Sequence, residues 1–286
     1  MTENTQTEAQ SFIVNKHGIT GLTFAQTVGQ DSSPVLALHG WLDNAESFRL
    51  LSQQLPEYSL LCPDLPGHGL SHPLPQGCDY LIWSSIGALR DLLDQYAQPI
   101  NVIGHSMGGS LALFLAAAYP ECVRSVCLID SAGPLTAAEN TVARNLRESI
   151  EWQRRPHTLR TLASLEEAVH ARLKVTPGLT QQEIQPLVQR NLMPVADGFK
   201  WRTDMRLRKP SALRLSESQA VGLLAAIQCP VLALRAEQGL LPQALFEQRL
   251  SAIPNITRRS VQGFHHTHMH PQHSVEVAEM IRAFIQ

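Results

Sequence analysis

Five short apolar runs, Val35–Leu38, Ser59–Cys62, Ile100–Ile103, Val123–Ile129 and Val231–Leu234, set the limits on what this chain can fold into. They are near-continuous Val, Ile, Leu, Ala and Cys. Strands of that kind are covered on both faces, as in a parallel sheet held between helical layers. Between them lie segments with apolar residues at helical spacing: Ala45–Leu55, Tyr80–Tyr96, Met107–Tyr119, Glu217–Ile227, Pro242–Ile253 and Ser274–Phe284. Pro242 suits a first helical turn, and Ser274 suits a cap with Glu276 behind it. Ser11–Val14 and Leu22–Val28 read as an opening antiparallel pair, and Ile256–Val261 as a closing strand. The expected architecture is therefore α/β, a mostly parallel twisted sheet of about eight strands covered by helices.

One stretch breaks the rhythm. From Pro134 to Arg214 the pattern is helical, with no strand in evidence, so residues 134–214 are expected to form a helical lid inserted into a core made of residues 1–133 and 215–286. The insert carries 14 Lys/Arg against 8 Asp/Glu, whereas the rest has 9 against 17. Two readings fit: complementary charged surfaces on lid and core, or a preference for anionic substrates. The first is favoured, because solvated charge runs outnumber binding sites. The whole chain has 286 residues, 44% of them hydrophobic, and a formal net charge of -2. That length buries a large core without staples, and the balance excludes a dedicated nucleic-acid binder. No window approaches about 18 continuous apolar residues, so no membrane span is expected. Met1–Gln10 lacks the basic and apolar regions of a secretory leader. The cysteines, Cys62, Cys78, Cys122, Cys127 and Cys229, are odd in number and irregularly spaced, which points to reduced thiols in a cytoplasmic protein.

The chemistry centres on Gly104-His105-Ser106-Met107-Gly108. A Gly-x-Ser-x-Gly alone is a weak signal. Here a strand precedes it and a long apolar helix follows, the setting in which a serine sits on a sharp strand-to-helix turn with its hydroxyl exposed. The ordinary alternative is a glycine-rich turn with a spectator serine. A serine nucleophile needs backbone N–H groups aimed at the developing oxyanion. Met107, directly after the serine, is one expected donor. The strand Val35–Leu38 runs into His39-Gly40-Trp41, and the Trp41 N–H is the other, although Trp41 also suits a packed aromatic. His39 and His105, each beside a turn glycine, are read as loop braces. The general base is sought in Gly263–His273, before the last helix, where His265, His266, His268 and His270 compete.

Together these pieces resemble the α/β-hydrolase superfamily, and within it the serine hydrolase-like proteins of the esterase and epoxide-hydrolase-like branch. The matching motifs are His39-Gly40-Trp41, the run Pro63-Asp64-Leu65-Pro66-Gly67-His68-Gly69-Leu70-Ser71, the elbow Gly104–Gly109 and the histidine segment. Gly198–Asp204 is similar to the post-lid segment of these proteins. The resemblance runs from about Ser11 onward, apart from most of the lid. Its frame for the catalytic histidine implies His265, with His266 second and His268 structural. Asp64 is implied to be a turn residue and Asp204 a brace at the lid base. The third member departs from the pattern. Gly239 stands in the loop after Val231–Leu234 where an aspartate is usual. Some relatives carry the acid one strand earlier, which implies Asp130; Glu237 is the second candidate. The plain alternative for Asp130 is a turn cap.

The expected function is a serine hydrolase with Ser106, His265 and Asp130, acting on small carboxylic esters, with a small-molecule substrate as its partner and no cofactor or metal. Trp152, His157 and Trp201 are lid residues that can line the pocket, core packing being favoured for the tryptophans. A thioester or carbon–carbon bond hydrolase would use the same elbow, and a ligand-binding protein with slow turnover would keep the fold. Thr267–His273 approaches a zinc motif with Gln272 in place of its aspartate, but a metallohydrolase would leave the serine elbow unexplained. Serine at position 106 excludes the aspartate chemistry of epoxide hydrolases.

Overall fold

The computed structural model describes residues 8–14, 17–25 and 34–285. In chain order they form β1 (Glu8–Val14), β2 (Ile19–Ala25), β3 (Val35–Leu38), α1 (Arg49–Gln54), β4 (Leu60–Pro63), α2 (Ile86–Leu93), β5 (Ile100–His105), α3 (Met107–Ala118) and β6 (Val123–Ile129). Then come α4 (Val142–Gln153), α5 (Leu165–Leu173), α6 (Gln181–Arg190), β7 (Leu192–Val195) and β8 (Gly198–Trp201). The chain closes with α7 (Glu217–Ala225), β9 (Val231–Gln238), α8 (Gln243–Leu250), β10 (Ile256–Phe264) and α9 (His273–Phe284). Eight strands make one sheet in the order β1-β2-β4-β3-β5-β6-β9-β10. The β1–β2 and β2–β4 pairs are antiparallel, and every later pair is parallel.

The apolar runs pack as a two-period strand requires. Leu36, Leu38, Val102, Leu128 and Ala233 point to one face, against Leu89 and Leu92 of α2, Leu111 and Leu115 of α3, Leu224 of α7 and Phe246 of α8. Their neighbours Val35, Ala37, Ile103, Cys127, Ile129 and Leu234 point to the other, against Leu51 of α1 and Val277 and Ile281 of α9. Both faces are dry, which explains why these strands lack polar alternation.

The structure differs from expectation in several elements. The antiparallel pair forms, but residues 26–28 of the second run lie outside the described residues, as do residues 1–7. Of Tyr80–Tyr96 only Ile86–Leu93 is α-helix. Ser84 Oγ accepts from the Leu81 N–H and donates to the Asp79 carbonyl, bonds that compete with helical pairing. Ser274 does not cap α9; it lies inside the helix and its hydroxyl donates to the Pro271 carbonyl. Pro242 precedes α8 as its cap position. The insert also contains a hairpin, β7–β8, turning through Ala196-Asp197, with Leu162 bridged to Phe199 on its far side.

Residues 134–214 bury their own apolar cluster of Leu162, Val169, Ile184, Leu187 and Leu192, into which Met269 of the histidine segment inserts. Among the described residues, three ion pairs cross this boundary. Arg172 meets Asp43, Arg190 meets Asp64 at 2.8 Å, and Lys209 meets Asp79. Asp204 accepts from Tyr80 at 2.8 Å, and its own N–H donates to the Gly67 carbonyl. Among the described residues no helix is long and apolar enough to cross a membrane.

Candidate active site

β5 ends at His105 and α3 begins at Met107, so Ser106 must turn the chain alone. It does so at φ +53°, ψ −115°, a conformation L residues rarely adopt. Close packing enforces the turn. A Cβ on Gly108 would lie 2.0 Å from the Leu38 carbonyl oxygen, and one on Gly104 would lie 2.5 Å from the Gly108 oxygen. Only glycines let β3, β5 and α3 approach this closely. Ser106 N donates to the Ile129 carbonyl at 3.1 Å, and Ser131 Oγ donates to the Ser106 carbonyl at 2.8 Å.

β6 runs alongside and delivers Asp130 at its C-terminal end. Asp130 is buried, at φ +43°. Its Oδ2 accepts from His265 Nδ1 at 2.6 Å and from Leu240 N at 3.1 Å, while Oδ1 accepts from Ala236 N at 3.1 Å. Burial works to raise its pKa, but the His265 hydrogen bond and charge, helped by the two backbone donors, outweigh it and hold the carboxyl below its ordinary value. Glu237 is exposed and makes no hydrogen bond to His265. Gly239 has a positive role: a Cβ there would lie 2.4 Å from both Asp130 carboxylate oxygens. The glycine clears the space that the Asp130 carboxylate occupies.

His265 leaves β10 just after a register shift between Val261 and Phe264. Its side chain is 12% exposed. With Nδ1 on Asp130, Nε2 remains for a substrate or nucleophile. Ser106 and His265 share no hydrogen bond in this state, and such contacts commonly tighten only with substrate. The His265 carbonyl accepts from His105 Nε2 at 3.0 Å, so His105 braces the loop as expected. His39 also braces: its Nε2 accepts from Leu65 N at 2.9 Å.

Met107 is the first residue of α3, where an N–H has no partner inside its own helix. No acceptor engages the Met107 or the Trp41 backbone N–H among the described residues. Trp41 is not a packed aromatic: the residue is 51% exposed and its Nε1 donates to the Leu207 carbonyl of the insert at 3.1 Å. The next residue, Leu42, has φ +62°. Leu42, Ser106 and Asp130 are the non-glycine residues with positive φ among those described, and each lies in one of the segments converging here. Such strain persists where the surroundings over-determine it, and it concentrates at active sites.

Sequence reading missed Asp43. It is fully buried, held by Arg172 on Oδ1, with His266 Nε2 at 3.4 Å and His105 Nδ1 at 3.5 Å from Oδ2. Burial opposes its charge, yet Arg172 and His266 hold its pKa well below the ordinary value. Read locally, Asp43-Asn44 ahead of an apolar helical run signals no more than a helix start; indeed Asn44 accepts from Glu46 N at 3.0 Å. Burial pushes His105 down to about 4 and His268 well below its ordinary value. His268 packs at 4.4 Å on the His105 ring, inside the protein, rather than in a metal motif with His270 and His273, which stack on each other at 4.3 Å. In the insert, Trp152 stacks on His157 at 3.6 Å, and Trp201 packs on the insert's apolar cluster.

Comparison with known proteins agrees with this architecture. The family model described as alpha/beta hydrolase fold matches residues 33–269. A serine hydrolase-like protein of Danio rerio is 30% identical over 267 residues, covering 88% of this chain and 81% of the relative. The crystal structure of a hypothetical protein of Pseudomonas aeruginosa PAO1 superposes with a TM-score of 0.87 at 32% identity, covering 97% of this chain and 99% of that one. A thioesterase domain from the curacin biosynthetic pathway shares the fold at a TM-score of 0.83 and 22% identity, over 96% and 98% of the two chains. Sheet order, elbow and matched span agree, and the chain belongs to the α/β-hydrolase family.

Proposed function

We propose that this protein is a serine hydrolase that cleaves small carboxylic esters through an acyl-enzyme. The observation that carries the reading is the 2.6 Å hydrogen bond from His265 Nδ1 to the buried Asp130, with Ser106 on a strained elbow in the adjoining turn. Asp130 fixes the imidazole tautomer and stabilises the imidazolium that forms during turnover. His265 Nε2 takes the proton from Ser106 Oγ as the oxygen attacks the ester carbonyl carbon. The Met107 and Trp41 N–H groups hold the tetrahedral oxyanion. Collapse breaks the acyl–oxygen bond, and His265 gives its proton to the leaving alcohol. Water then attacks the acyl-enzyme, His265 taking its proton and returning it to Ser106 as the acid departs. No cofactor enters these steps. Residues 134–214 act as the lid, docked by the Arg172–Asp43 and Arg190–Asp64 pairs and by Trp41.

Burst kinetics with p-nitrophenyl esters of several acyl lengths test this reading. A burst of one equivalent that Ser106→Ala abolishes is expected. Absence of both burst and turnover on every ester, in folded protein, would sink the esterase reading.

A further inference from the structure

Behind the proposed triad lies a cluster that ester hydrolysis does not use. Asp43, His105 and His266 each turn one ligating atom toward the others, and these three atoms all lie within 4.8 Å of one another. All three residues are buried. Asp43 Oδ2 and His105 Nδ1 have no hydrogen-bond partner, and neither nitrogen of the nearby His268 has one. Buried polar atoms ordinarily find partners, so the two orphans that face each other here, Asp43 Oδ2 and His105 Nδ1, call for a shared one. Arg172 occupies the opposite oxygen, Oδ1, and so leaves Oδ2 directed at the rings.

The donor set is that of a metal site. Two imidazoles and one carboxylate suit zinc and neighbouring divalent transition metals. Bonds of about 2.0–2.2 Å at tetrahedral angles place ligand atoms about 3.3–3.5 Å apart. The Asp43–His105 and Asp43–His266 separations, 3.5 and 3.4 Å, already meet this. We propose that Asp43, His105 and His266 form a binding site for a divalent transition metal ion, and that its occupancy slows the hydrolysis assigned to Ser106. The second half rests on the proposed function; the first does not.

The inhibitory effect follows from where the ligands stand. His105 precedes Ser106, His266 follows His265, and Asp43 is two residues after Trp41. One ion would tie together the segments that carry nucleophile, base and oxyanion donor. Drawing His266 and His105 toward a common ion moves both ends of the relay, because His105 Nε2 also holds the His265 carbonyl. Displacements of about 1 Å at such positions cost large factors in rate. The His266 side chain, 9% exposed, is the most exposed of the three ligands.

Binding is measured directly on the full chain by calorimetry with Zn²⁺ and by the visible spectrum of added Co²⁺. One equivalent is expected to bind. His266→Gln and His105→Gln should each weaken binding at least about tenfold, a ligand costing no less than an outer-shell partner. The double variant His270→Gln/His273→Gln should bind as the wild type does. Far-UV circular dichroism checks folding, and the His266→Gln arm decides if His105→Gln is unfolded. Zn²⁺ should slow the ester burst reversibly, and His266→Gln should be insensitive. No stoichiometric uptake, or uptake lost only with His270 and His273, would overturn the site. Uptake that depends on His266 without slowing the burst would overturn the inhibitory half alone. An inactive protein that still binds one ion would count against the proposed function and leave the site standing.

Discussion

At the scale of single residues, the site divides by how local its signals are. Ser106 was legible because its evidence is contiguous: strand, glycine-flanked turn and helix fall within one short stretch. His265 needed the order of motifs along the chain. Asp130 and Glu237 stayed open because choosing between them depends on which loop atom faces the imidazole, a matter of tertiary packing. Gly239 bears on the choice in a form not readable from sequence, since its lack of a side chain matters only through the Asp130 carboxylate 2.4 Å from where a Cβ would stand. Asp130→Asn is expected to lower kcat about 10⁴-fold by favouring the wrong tautomer, while Glu237→Gln leaves kcat unchanged. Comparable losses in the two variants would exchange their assignments. Gly239→Ala is expected to lower both kcat and melting temperature, because three hydrogen bonds prevent the Asp130 carboxylate from yielding. Wild-type kinetics in that variant would show that the loop moves aside.

At the scale of elements, the parallel core strands were readable because each is buried on both faces. The β7–β8 hairpin was missed because its first strand is four residues long and contains Pro194, which lacks a ladder donor. The Asp197-Gly198 turn signal was present but isolated among helical patterns. What fastens this insert to the sheet is also an element-level matter. Arg190, at the last turn of α6, pairs with Asp64 in the turn after β4, and both side chains are almost wholly buried. Asp64 in addition accepts from Ala45 N and Leu70 N, each at 2.8 Å. Removing the arginine strands a buried charge, which costs about 3–5 kcal/mol; the remaining donors place Arg190→Leu toward the lower end. Urea unfolding measures the loss, and hydrogen exchange should show α6 and the hairpin losing protection first. Unchanged stability would mean that Asp64 is satisfied by its backbone partners alone.

At the scale of the whole molecule, the opposite charges of insert and core act as docking contacts, and the histidines set the response to acid. His39, His68, His105 and His268 are buried, and burial lowers each pKa from the ordinary 6.5, to about 4 for His105 and about 3 for His68. The folded state therefore refuses protons that the unfolded chain accepts. The sign follows: stability is full above pH 6.5 and falls as pH drops below it, until each folded pKa is reached. One such histidine gives a slope of about 1.4 kcal/mol per pH unit in that window. Asp43 and Asp130 have depressed pKa values, so their contribution persists through the same window and is lost only below the ordinary carboxylate value of 3.8. The interval from pH 6.5 to about 4 thus belongs to the histidines. Urea midpoints are expected to fall steadily between pH 7 and pH 5 at constant m-value, by an amount corresponding to about 2 kcal/mol or more. Replacing the deeply buried His268 with Gln should flatten the curve in this window whatever it does to stability at pH 7. A wild-type midpoint that stays level from pH 7 to pH 5 would show that these rings take up protons without unfolding, with Asp43 as their counter-ion.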